Sequence, residues 1–410
     1  MDADVLVVGA GLAGLRCARA LQDAGHDVVV LEGSDAVGGR IRTEQIDGFL
    51  VDRGFQLLNP AYPAVRRWVD VPALGLQGFG AGVAARTETG TMVLGHPLRA
   101  PGLLPATVRT ALGRPREVAA LLRWAAPLGR PRRTPLSQVL AGRDDVTRGD
   151  ALDRAGVEGL LRRVVDRFFA GVLLEDDGST ADHYAKLLAW MFARGVPSLP
   201  AAGMHALPMQ LAALLGDRVR LRQRVERVAA TSVVVAGRTW TARHVVVATG
   251  AAEARALAGA DVPVTKGVVT AWWAASEAPT SDLLHVDARH DPRGPLVNAA
   301  VVSRAAPTYA PPGRHLVQGS ALLGPARVTD ERAMRRHAGD LLGTDPAGWQ
   351  VVAVHEVPDA LPAQPAPYSA ARPTRVGEVF VCGDHRDTGS IQGALVSGQR
   401  IANDVMAALR

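Results

Sequence analysis

The chain has few of the residues that cross-link small extracellular domains or span a bilayer. Its 410 residues include only two cysteines, which excludes a disulfide scaffold and predicts that Cys17 and Cys382 are small core residues in a reducing compartment. It has no run of 18 apolar residues, so no transmembrane helix is predicted. Asp2 and Asp4 stand directly before an apolar strand, which argues against a signal peptide and favours a cytoplasmic protein.

Metal-ligand patterns, repeats and lysine are also scarce. The eleven histidines show no metal-ligand spacing, so we predict no metal site. No internal repeat appears, so nothing indicates a repeat architecture. Of the 46 basic residues only Lys186 and Lys266 are lysines, and the net charge is +6. Apolar residues make up 48% of the chain, which is enough for large cores in two or three domains.

The N-terminus has a strand, a glycine turn and a helix in the order of a dinucleotide-binding fold. Val5–Val8 is typical of a buried parallel strand, and the turn Gly9-Ala10-Gly11-Leu12-Ala13-Gly14 follows it. We expect Gly9 to allow the tight turn, Gly11 to let the backbone approach a pyrophosphate, and Gly14 to let helix 12–24 pack closely. The alternative is an ordinary strand–turn–helix in which the glycine spacing arises by chance.

A second strand ends in the carboxylate that such a site requires. Asp27–Leu31 is apolar apart from its first residue, and Glu32 follows it, placed to accept hydrogen bonds from a ribose diol. The pyrophosphate would lie on the N-terminal N–H groups of helix 12–24. The predicted contacts of this region are Gly9, Gly11, Leu12, Ala13, Gly14, Glu32 and Gly33.

The next motif narrows the kind of dinucleotide. Gly38 and Gly39 form a second glycine pair, and the guanidinium of Arg40 can pair bidentately with phosphate oxygens. Domains that bind only NAD seldom continue in this way. These three residues are therefore predicted to contact the cofactor.

With this motif the chain resembles the flavin-containing amine oxidase superfamily, which includes monoamine oxidase, protoporphyrinogen oxidase and phytoene desaturase. The resemblance implies FAD, and the lack of a cysteine near Ser390 predicts that it is bound non-covalently. It also implies that the backbone of Gly54, Phe55 and Gln56 runs beside the isoalloxazine ring, and that the main chain of Val225 touches the adenine. The other segments that carry the resemblance are Ala202–Pro208, Arg224–Val228, Val245–Gly250 with Thr249 and Gly250, Phe380–Asp384, Gly389–Ala394 and Ser397–Gly398.

The C-terminal segment suits a flavin for physical reasons of its own. Val379–Cys382 is a short apolar strand, after which Gly383 lets the backbone approach the ribityl chain and Asp384 can accept a hydroxyl. The helix from about Ile391 would direct its N-terminus at the flavin N1–C2=O edge, with Ser390 and Ala394 alongside. The alternatives are a helix that only docks on the fold and a surface carboxylate at position 384.

A signature divided between the two ends predicts discontinuous domains. The fold class is α/β: a Rossmann-type FAD-binding domain with a discontinuous α+β substrate domain. The FAD-binding domain takes residues 1–56, 203–257 and 370–410, and the substrate domain takes 57–202, largely helical, and 258–369, largely strands.

Three local patterns support that division. Segment 150–195 has helical spacing, and Val268–Trp273, Val297–Ser303 and His315–Ser320 are predicted strands. Pro358–Pro373 has five prolines, which predicts an extended connector back to the FAD-binding domain.

The sequence favours one branch of the superfamily. Ser390 occupies the position at which monoamine oxidases place an aromatic residue of the amine-binding cage, and a serine cannot form that wall. The ending around it, and the segment Asp166–Val172, resemble phytoene desaturase and protoporphyrinogen oxidase. Phe168 and Phe169 either face an apolar substrate tunnel or pack in a core. Lys266 either matches the lysine that amine oxidases carry near flavin N5 or is an ordinary strand-edge lysine.

The predicted function is removal of hydride from a C–H bond of a hydrophobic or cyclic substrate onto flavin N5, with re-oxidation by oxygen or a membrane quinone. No catalytic acid or base is assigned. The alternatives are a flavin amine oxidase, a redox-neutral polyene isomerase that uses reduced FAD, and a non-catalytic binding module. The predicted partner is a small, apolar molecule, and the sequence leaves the oligomeric state open.

Positive charge is concentrated in segment 99–133, where eight arginines stand against the single acid Glu117. Leucines and valines between them suggest amphipathic helices that could enter a lipid interface. Two interpretations stay open: peripheral membrane contact, and a solvated arginine face over an ordinary helical subdomain. Nucleic-acid binding is not predicted, because no recognition motif accompanies the charge. The arginines are Arg99, Arg109, Arg114, Arg116, Arg123, Arg130, Arg132 and Arg133.

Overall fold

Strands and helices alternate in the first third of the chain, and long strands dominate the last third. A computed structural model describes residues 1–129, 144–277, 281–324, 330–369 and 371–410. The strands are β1 Val5–Val8, β2 Val28–Leu31, β3 Thr43–Ile46, β4 Phe49–Asp52, β5 Gln77–Gly78, β6 Gly82–Thr87, β7 Gly90–Gly95, β8 Ser198–Leu199, β9 Val219–Arg220, β10 Val225–Val228, β11 Ser232–Val235, β12 Arg238–Thr241, β13 His244–Val247, β14 Thr265–Ala275, β15 Leu284–Asp287, β16 Leu296–Val301, β17 His315–Leu323, β18 Gln350–Pro362, β19 Arg375–Val376 and β20 Val379–Val381.

The helices lie mainly in the middle of the chain and at its two ends. None of those in the described ranges is long and apolar enough to cross a bilayer. They are α1 Leu12–Asp23, α2 Pro63–Trp68, α3 Leu104–Leu112, α4 Pro115–Ala125, α5 Arg148–Arg154, α6 Gly159–Leu173, α7 Asp182–Arg194, α8 Ala206–Ala213, α9 Ala251–Ala258, α10 Val302–Ala305, α11 Glu331–Leu342 and α12 Ile391–Leu409.

The first sheet joins both ends of the chain in the order β19-β20-β13-β1-β2-β9. All neighbours from β20 to β9 are parallel, and only β19 is antiparallel. Each residue of β1 is buried, as expected for an apolar strand covered on both faces of a parallel sheet. The mixed α/β fold with a Rossmann-type sheet is therefore confirmed.

The second sheet has the order β18-β14-β17-β16-β15-β6-β7, antiparallel except between β15 and β6. Helix α11 packs against it through Met334 and Leu341, which share a core with Trp273 and Val317. Its strands come only from the segments assigned to the substrate domain, and those of the first sheet only from the FAD-binding segments. The domain boundaries themselves stay a prediction.

Two segments differ from the sequence-based expectation. Pro358–Pro373 is not a connector throughout, because its first five residues belong to β18. β18 is an edge strand, where a proline's missing N–H can face outward without breaking the sheet. The strand predicted as Val297–Ser303 ends at Val301, and the short helix α10 follows.

The two cysteines lie in one buried contact. Both are free and fully buried, as predicted. A hydrogen bond with Cys382 and burial together hold the pKa of Cys17 well above its ordinary value. The Cys17 thiol therefore stays protonated at neutral pH and acts as a small apolar group.

A buried carboxyl group ties β4 to both halves of the molecule. Asp52 is 1% exposed and accepts hydrogen bonds from the Met204 backbone N–H (3.1 Å), from the Tyr309 hydroxyl (3.0 Å) and from Thr43. Burial nevertheless raises the pKa of Asp52 from 3.8 to about 6. Since the folded-state pKa is the higher one, the folded protein holds the extra proton between these values, and stability falls as pH rises through that window.

The substitution Asp52→Asn should remove this pH dependence. We expect the variant to gain about 2 kcal/mol of stability relative to the wild type as pH rises from 4.5 to 7, out of a full difference of about 3 kcal/mol at about 1.4 kcal/mol per pKa unit. Urea unfolding of both proteins at pH 4.5 and pH 7, at equal FAD concentration, measures the difference. Asp291→Asn, at an exposed aspartate, is the control. A stability difference between Asp52→Asn and wild type that is the same at both pH values would contradict the assignment.

Candidate functional site

One cavity of about 1510 Å³ runs between the two sheets. It brings together residues from the beginning, the middle and the end of the chain. Of the residues predicted to contact the cofactor, all except Gly14 line it. The lining set is Gly9, Gly11, Leu12, Ala13, Glu32, Gly33, Gly38, Gly39, Arg40, Gly54, Phe55, Gln56, Val225, Thr249, Gly250, Gly383, Asp384, Ser390, Ile391 and Ala394.

Gly14 does not line the cavity but lets helix α1 pack closely behind it. A Cβ at this position would lie 2.0 Å from the Gly9 carbonyl oxygen and 3.0 Å from the Ala248 Cβ. Helix α1 can approach the turn and β13 only because position 14 has no side chain. The role expected from the sequence, close packing of helix on strand, matches this geometry.

Glu32 lies at the end of β2, where the backbone orients its carboxylate. One oxygen accepts the Ala10 N–H at 2.7 Å and the other accepts the Ser34 N–H at 2.9 Å. A carboxylate has about four acceptor sites, so each oxygen can accept a further hydrogen bond from the cavity. The side chain is therefore held in place and can accept a diol.

The neighbouring surface offers donors. The N-cap of α1 is Gly11, and no side chain caps the helix, so its first N–H groups can meet an anion in the cavity. The buried hydroxyl of Thr249 has no hydrogen-bond partner in the described chain and lines the same cavity. Because a buried polar atom is normally satisfied, these groups fit a bound dinucleotide.

Arg40 and Asp384 face each other across the cavity wall. The guanidinium Nη2 of Arg40 lies 2.6 Å from Asp384 Oδ1, and its Nη1 donates to the Ala360 carbonyl at 2.8 Å. The charge of Asp384 raises the pKa of Arg40. From the sequence, we expect two separate contacts: Arg40 with a phosphate and Asp384 with a hydroxyl. In the structure the two side chains form an ion pair in the cavity wall.

Helix α12 begins at the cavity. Ser390 is its N-cap and accepts the Gly393 N–H at 3.1 Å. Ser390, Ile391 and Ala394 line the cavity, so the partial positive charge of this N-terminus is directed into it. Beside it, both ring nitrogens of the buried His385 lack partners among the described residues, and burial lowers the pKa of His385 to about 4. His385 is neutral at physiological pH.

Much of the remaining cavity wall is apolar. Phe168 lines it, whereas Phe169 is buried in a helical core with Trp124, at 6.4 Å between ring centroids. The two neighbours therefore differ: Phe168 faces the cavity and Phe169 packs in the core. Other apolar residues of the wall are Phe79, Val83, Leu94, Val172, Leu188, Phe192 and Val268.

A chain of buried neutral side chains interrupts this apolar wall. Gln318 Nε2 donates to Asn298 Oδ1 at 3.2 Å, and the Ser320 hydroxyl donates to Gln318 Oε1 at 3.2 Å. The Thr270 hydroxyl lies 3.1 Å from that of Ser320. Asn298 and Ser320 line the cavity, so the wall offers neutral hydrogen-bonding groups. The sequence analysis missed them, since nothing marks which strand residues face inward.

Two tyrosines near Ser390 were also missed. Tyr62 and Tyr184 line the cavity, and the Tyr184 hydroxyl donates to the Gly389 carbonyl at 2.9 Å. Burial raises the pKa of Tyr62 and of Tyr184, so both are neutral. An aromatic surface therefore stands beside Ser390, although position 390 itself is a serine.

Lys266 is neither a cavity residue nor an exposed strand-edge residue. Its ammonium lies 2.8 Å from Glu175 Oε2 and 3.2 Å from the Thr180 hydroxyl, and it is not among the residues that line the cavity. The ion pair thus occupies the Lys266 ammonium outside the set of residues that line the cavity.

One group of potential metal ligands lies outside the cavity. Asp287, His337 and Asp340 approach within metal-binding range, which their spacing in sequence did not indicate. The guanidinium of Arg289 lies 2.5 Å from a carboxylate oxygen of each aspartate. The cluster thus already contains its cation.

Comparison with known proteins identifies relatives of this architecture. The sequence profile described as "Flavin containing amine oxidoreductase" matches residues 12–406. A putative flavin-containing monoamine oxidase, AofH, of Mycobacterium tuberculosis is 50% identical over 62 residues, 15% of this chain and 14% of that protein. Putrescine oxidase of Kocuria rosea is 43% identical over 79 residues, 19% of this chain and 16% of that protein. These alignments span far less than two thirds of the curated relatives.

Solved structures share the fold over nearly the whole chain. A putative protoporphyrinogen oxidase from Exiguobacterium sp. 255-15 has a TM-score of 0.74, with 16% identity over 98% of both chains. Putrescine oxidase bound to putrescine has a TM-score of 0.69, with 21% identity over 99% of both chains. The narrower assignment to a phytoene desaturase or protoporphyrinogen oxidase branch stays a prediction. The predicted family and enzyme class are confirmed, because the profile covers nearly the whole sequence: this chain belongs to the flavin-containing amine oxidoreductase family.

Proposed function

We propose that the protein binds FAD non-covalently and removes a hydride from a C–H bond of a neutral, hydrophobic or cyclic substrate. The observation that carries the proposal is the continuity of the cavity, which joins the dinucleotide motifs to an apolar chamber. When bound, FAD supplies the hydride acceptor. In such a site, the protein must position the substrate, stabilise the charge that develops during the reaction and exclude water.

Different residues of the chain would fill these roles. Glu32 would hold the ribose, and the N-terminus of α1 would hold the pyrophosphate. The N-terminus of α12 would stabilise negative charge at the far end of the cavity. Phe168 and the other apolar side chains would exclude water and bind the substrate, and Asn298 with Ser320 would orient it by hydrogen bonds.

Amine oxidation is the second candidate. The observation in its favour is the pair Tyr62 and Tyr184 beside Ser390, which supplies an aromatic surface that the sequence did not predict. Against it, Lys266 is paired with Glu175 outside the cavity. The chamber's described walls are also mainly apolar and neutral, which suits a neutral substrate better than a polycation.

The substitution Glu32→Gln should weaken FAD binding at least tenfold. It keeps the shape of the side chain but removes charge-assisted hydrogen bonds, each worth about 1.5–3 kcal/mol, and about 1.4 kcal/mol is one decade in affinity. Fluorescence titration of the apoprotein with FAD measures the dissociation constant.

Glu88→Gln is the matched control, because Glu88 also accepts a backbone N–H, from His290 at 2.7 Å, but does not line the cavity. Equal FAD affinity of Glu32→Gln and wild type would show that Glu32 does not bind the ribose. Acid precipitation of the wild-type holoprotein should leave all flavin in the supernatant, and colour retained in the pellet would refute non-covalent binding.

Anaerobic mixing should bleach the flavin with neutral apolar substrates and not with simple amines. The probes are a detergent-dispersed polyene, a porphyrinogen, benzylamine and putrescine, followed by the flavin absorbance. Rapid bleaching by either amine would overturn the proposal in favour of amine oxidation. Conversion of the polyene without net electron transfer would favour the isomerase alternative.

The adjacent phenylalanines provide a matched pair of variants for any substrate found in this way. Phe168→Ala should raise the substrate concentration needed for half-maximal bleaching, because Phe168 lines the cavity. Phe169→Ala should instead cost about 3–5 kcal/mol of stability, because Phe169 is a core residue. The opposite assignment of effects would show that the chamber is not the substrate site.

A further inference from the structure

Helix α3 presents an unusual surface to solvent. Leu104, Val108 and Leu112 are four residues apart and therefore lie on one face of the helix, with exposed fractions of 40%, 44% and 78%. Leu98, just before the helix, is 83% exposed. Scattered exposed apolar residues are common, but an exposed stripe on one helix face marks a contact surface. We call these four residues the α3 stripe.

The helix is attached to the cavity wall by its other side. The Thr107 hydroxyl accepts the backbone N–H of Gly95, the last residue of β7, at 2.9 Å. The Leu103 side chain fills the space above the same glycine. No residue of α3 is itself buried. The helix thus lies on the surface beside β7, and every residue of the stripe is at least 40% exposed.

Exposed positive charge lies in the same segment of the chain as the stripe. Arg99, Arg109, Arg116 and Arg123 are all exposed. The only acid between residues 98 and 129 is Glu117, and its carboxylate accepts the Leu161 N–H at 2.8 Å. Arg130, Arg132 and Arg133 of the same sequence segment lie outside the described residues. An apolar stripe bordered by arginines is complementary to an anionic lipid surface, where the side chains insert and the guanidinium groups meet headgroups.

The stripe also adjoins the wall of the cavity. His96 and Arg99, which flank Leu98 in sequence, line the cavity, as does Leu94 of β7. A surface that docked through the stripe would therefore lie next to this part of the cavity wall.

We propose that the α3 stripe and its arginines dock the protein peripherally on an anionic phospholipid bilayer. Helix α3 lies in the headgroup region with Leu98, Leu104, Val108 and Leu112 directed toward the acyl chains. The charges draw the protein to the surface, and the leucines retain it. Nucleic acid explains the charge but gives the exposed leucines no role. That an apolar substrate then passes from the bilayer into the cavity rests on the proposed function; the docking itself does not.

The test is co-sedimentation of the FAD-loaded protein with vesicles. Phosphatidylcholine vesicles, with and without 30 mol% phosphatidylglycerol, are compared at 50 mM and 500 mM NaCl. We expect binding to the anionic vesicles at low salt that weakens at least tenfold at high salt, since each basic residue contributes to an interaction that salt screens.

Two variants separate the electrostatic from the hydrophobic contribution to vesicle binding. Arg109→Gln/Arg116→Gln should lower low-salt binding at least tenfold, and Leu104→Gln/Val108→Gln/Leu112→Gln should remove stable binding at both salt concentrations. The matched controls are Arg332→Gln/Arg336→Gln on α11 and Met209→Gln/Leu214→Gln at α8, which remove exposed residues of the same kinds elsewhere and should bind as wild type.

Absence of vesicle binding by wild type, or equal binding by all variants, would overturn the proposal. Binding to a DNA duplex but not to vesicles would overturn it in favour of nucleic acid. A concentration-dependent dimer that is lost in the triple variant would overturn it in favour of a second copy of the chain. Flavin content and anaerobic bleaching in detergent should be unchanged in every variant, so failure of docking is distinguishable from failure of the proposed function.

Discussion

The rest of the site depends on the contact between the first and the last helix. A Cβ at Gly398 of α12 would lie 2.2 Å from the Ala13 carbonyl of α1, so the two backbones touch where neither has a bulky side chain. Beside this contact, Arg16 donates to the Gln399 side chain at 2.9 Å. The parallel pairing of β1, β13 and β20 continues the same association through the sheet. A glycine turn at residue 9 and a helix N-terminus at residue 391 thereby line one cavity.

The charge distribution of the substrate half follows from how its ionic groups are paired. Glu175 is bonded to Lys266, and the buried Arg148 lies 3.7 Å from the same carboxylate. Lys186 pairs with Asp182, which also accepts the Trp124 indole N–H. Each of these charges has an oppositely charged partner outside the set of cavity-lining residues. The chamber can consequently be apolar although charged residues are common in the helices around it.

The parts of this structure that the sequence predicts are those set by local chemistry. The turn at Gly9, the strand that ends at Glu32 and the helix that begins at Ile391 each combine periodicity with a residue type required at one position. The parts that it did not predict depend on tertiary packing. Neighbours as similar as Phe168 and Phe169 point to different surroundings, and the partner of Lys266 lies 91 residues away.

The proline-rich segment Pro358–Pro373 is a second example of structure that depends on tertiary packing. Its composition indicates an extended chain, and β18 is extended, but composition does not reveal that β14 is available to pair with it. Likewise the pairing of Arg40 with Asp384 joins residues 344 positions apart. Each motif alone indicated a cofactor contact, whereas only the fold shows that the two residues form one unit.

We expect one continuous cavity to hold FAD with its reactive ring toward the apolar chamber. A crystal structure of the FAD-soaked protein would locate the cofactor. We expect the adenosine ribose on Glu32 and the isoalloxazine ring beside the backbone of Gly54–Gln56, with one face open to Phe168. Density for the ring outside this cavity, or a ring whose open face is turned away from the chamber, would contradict it.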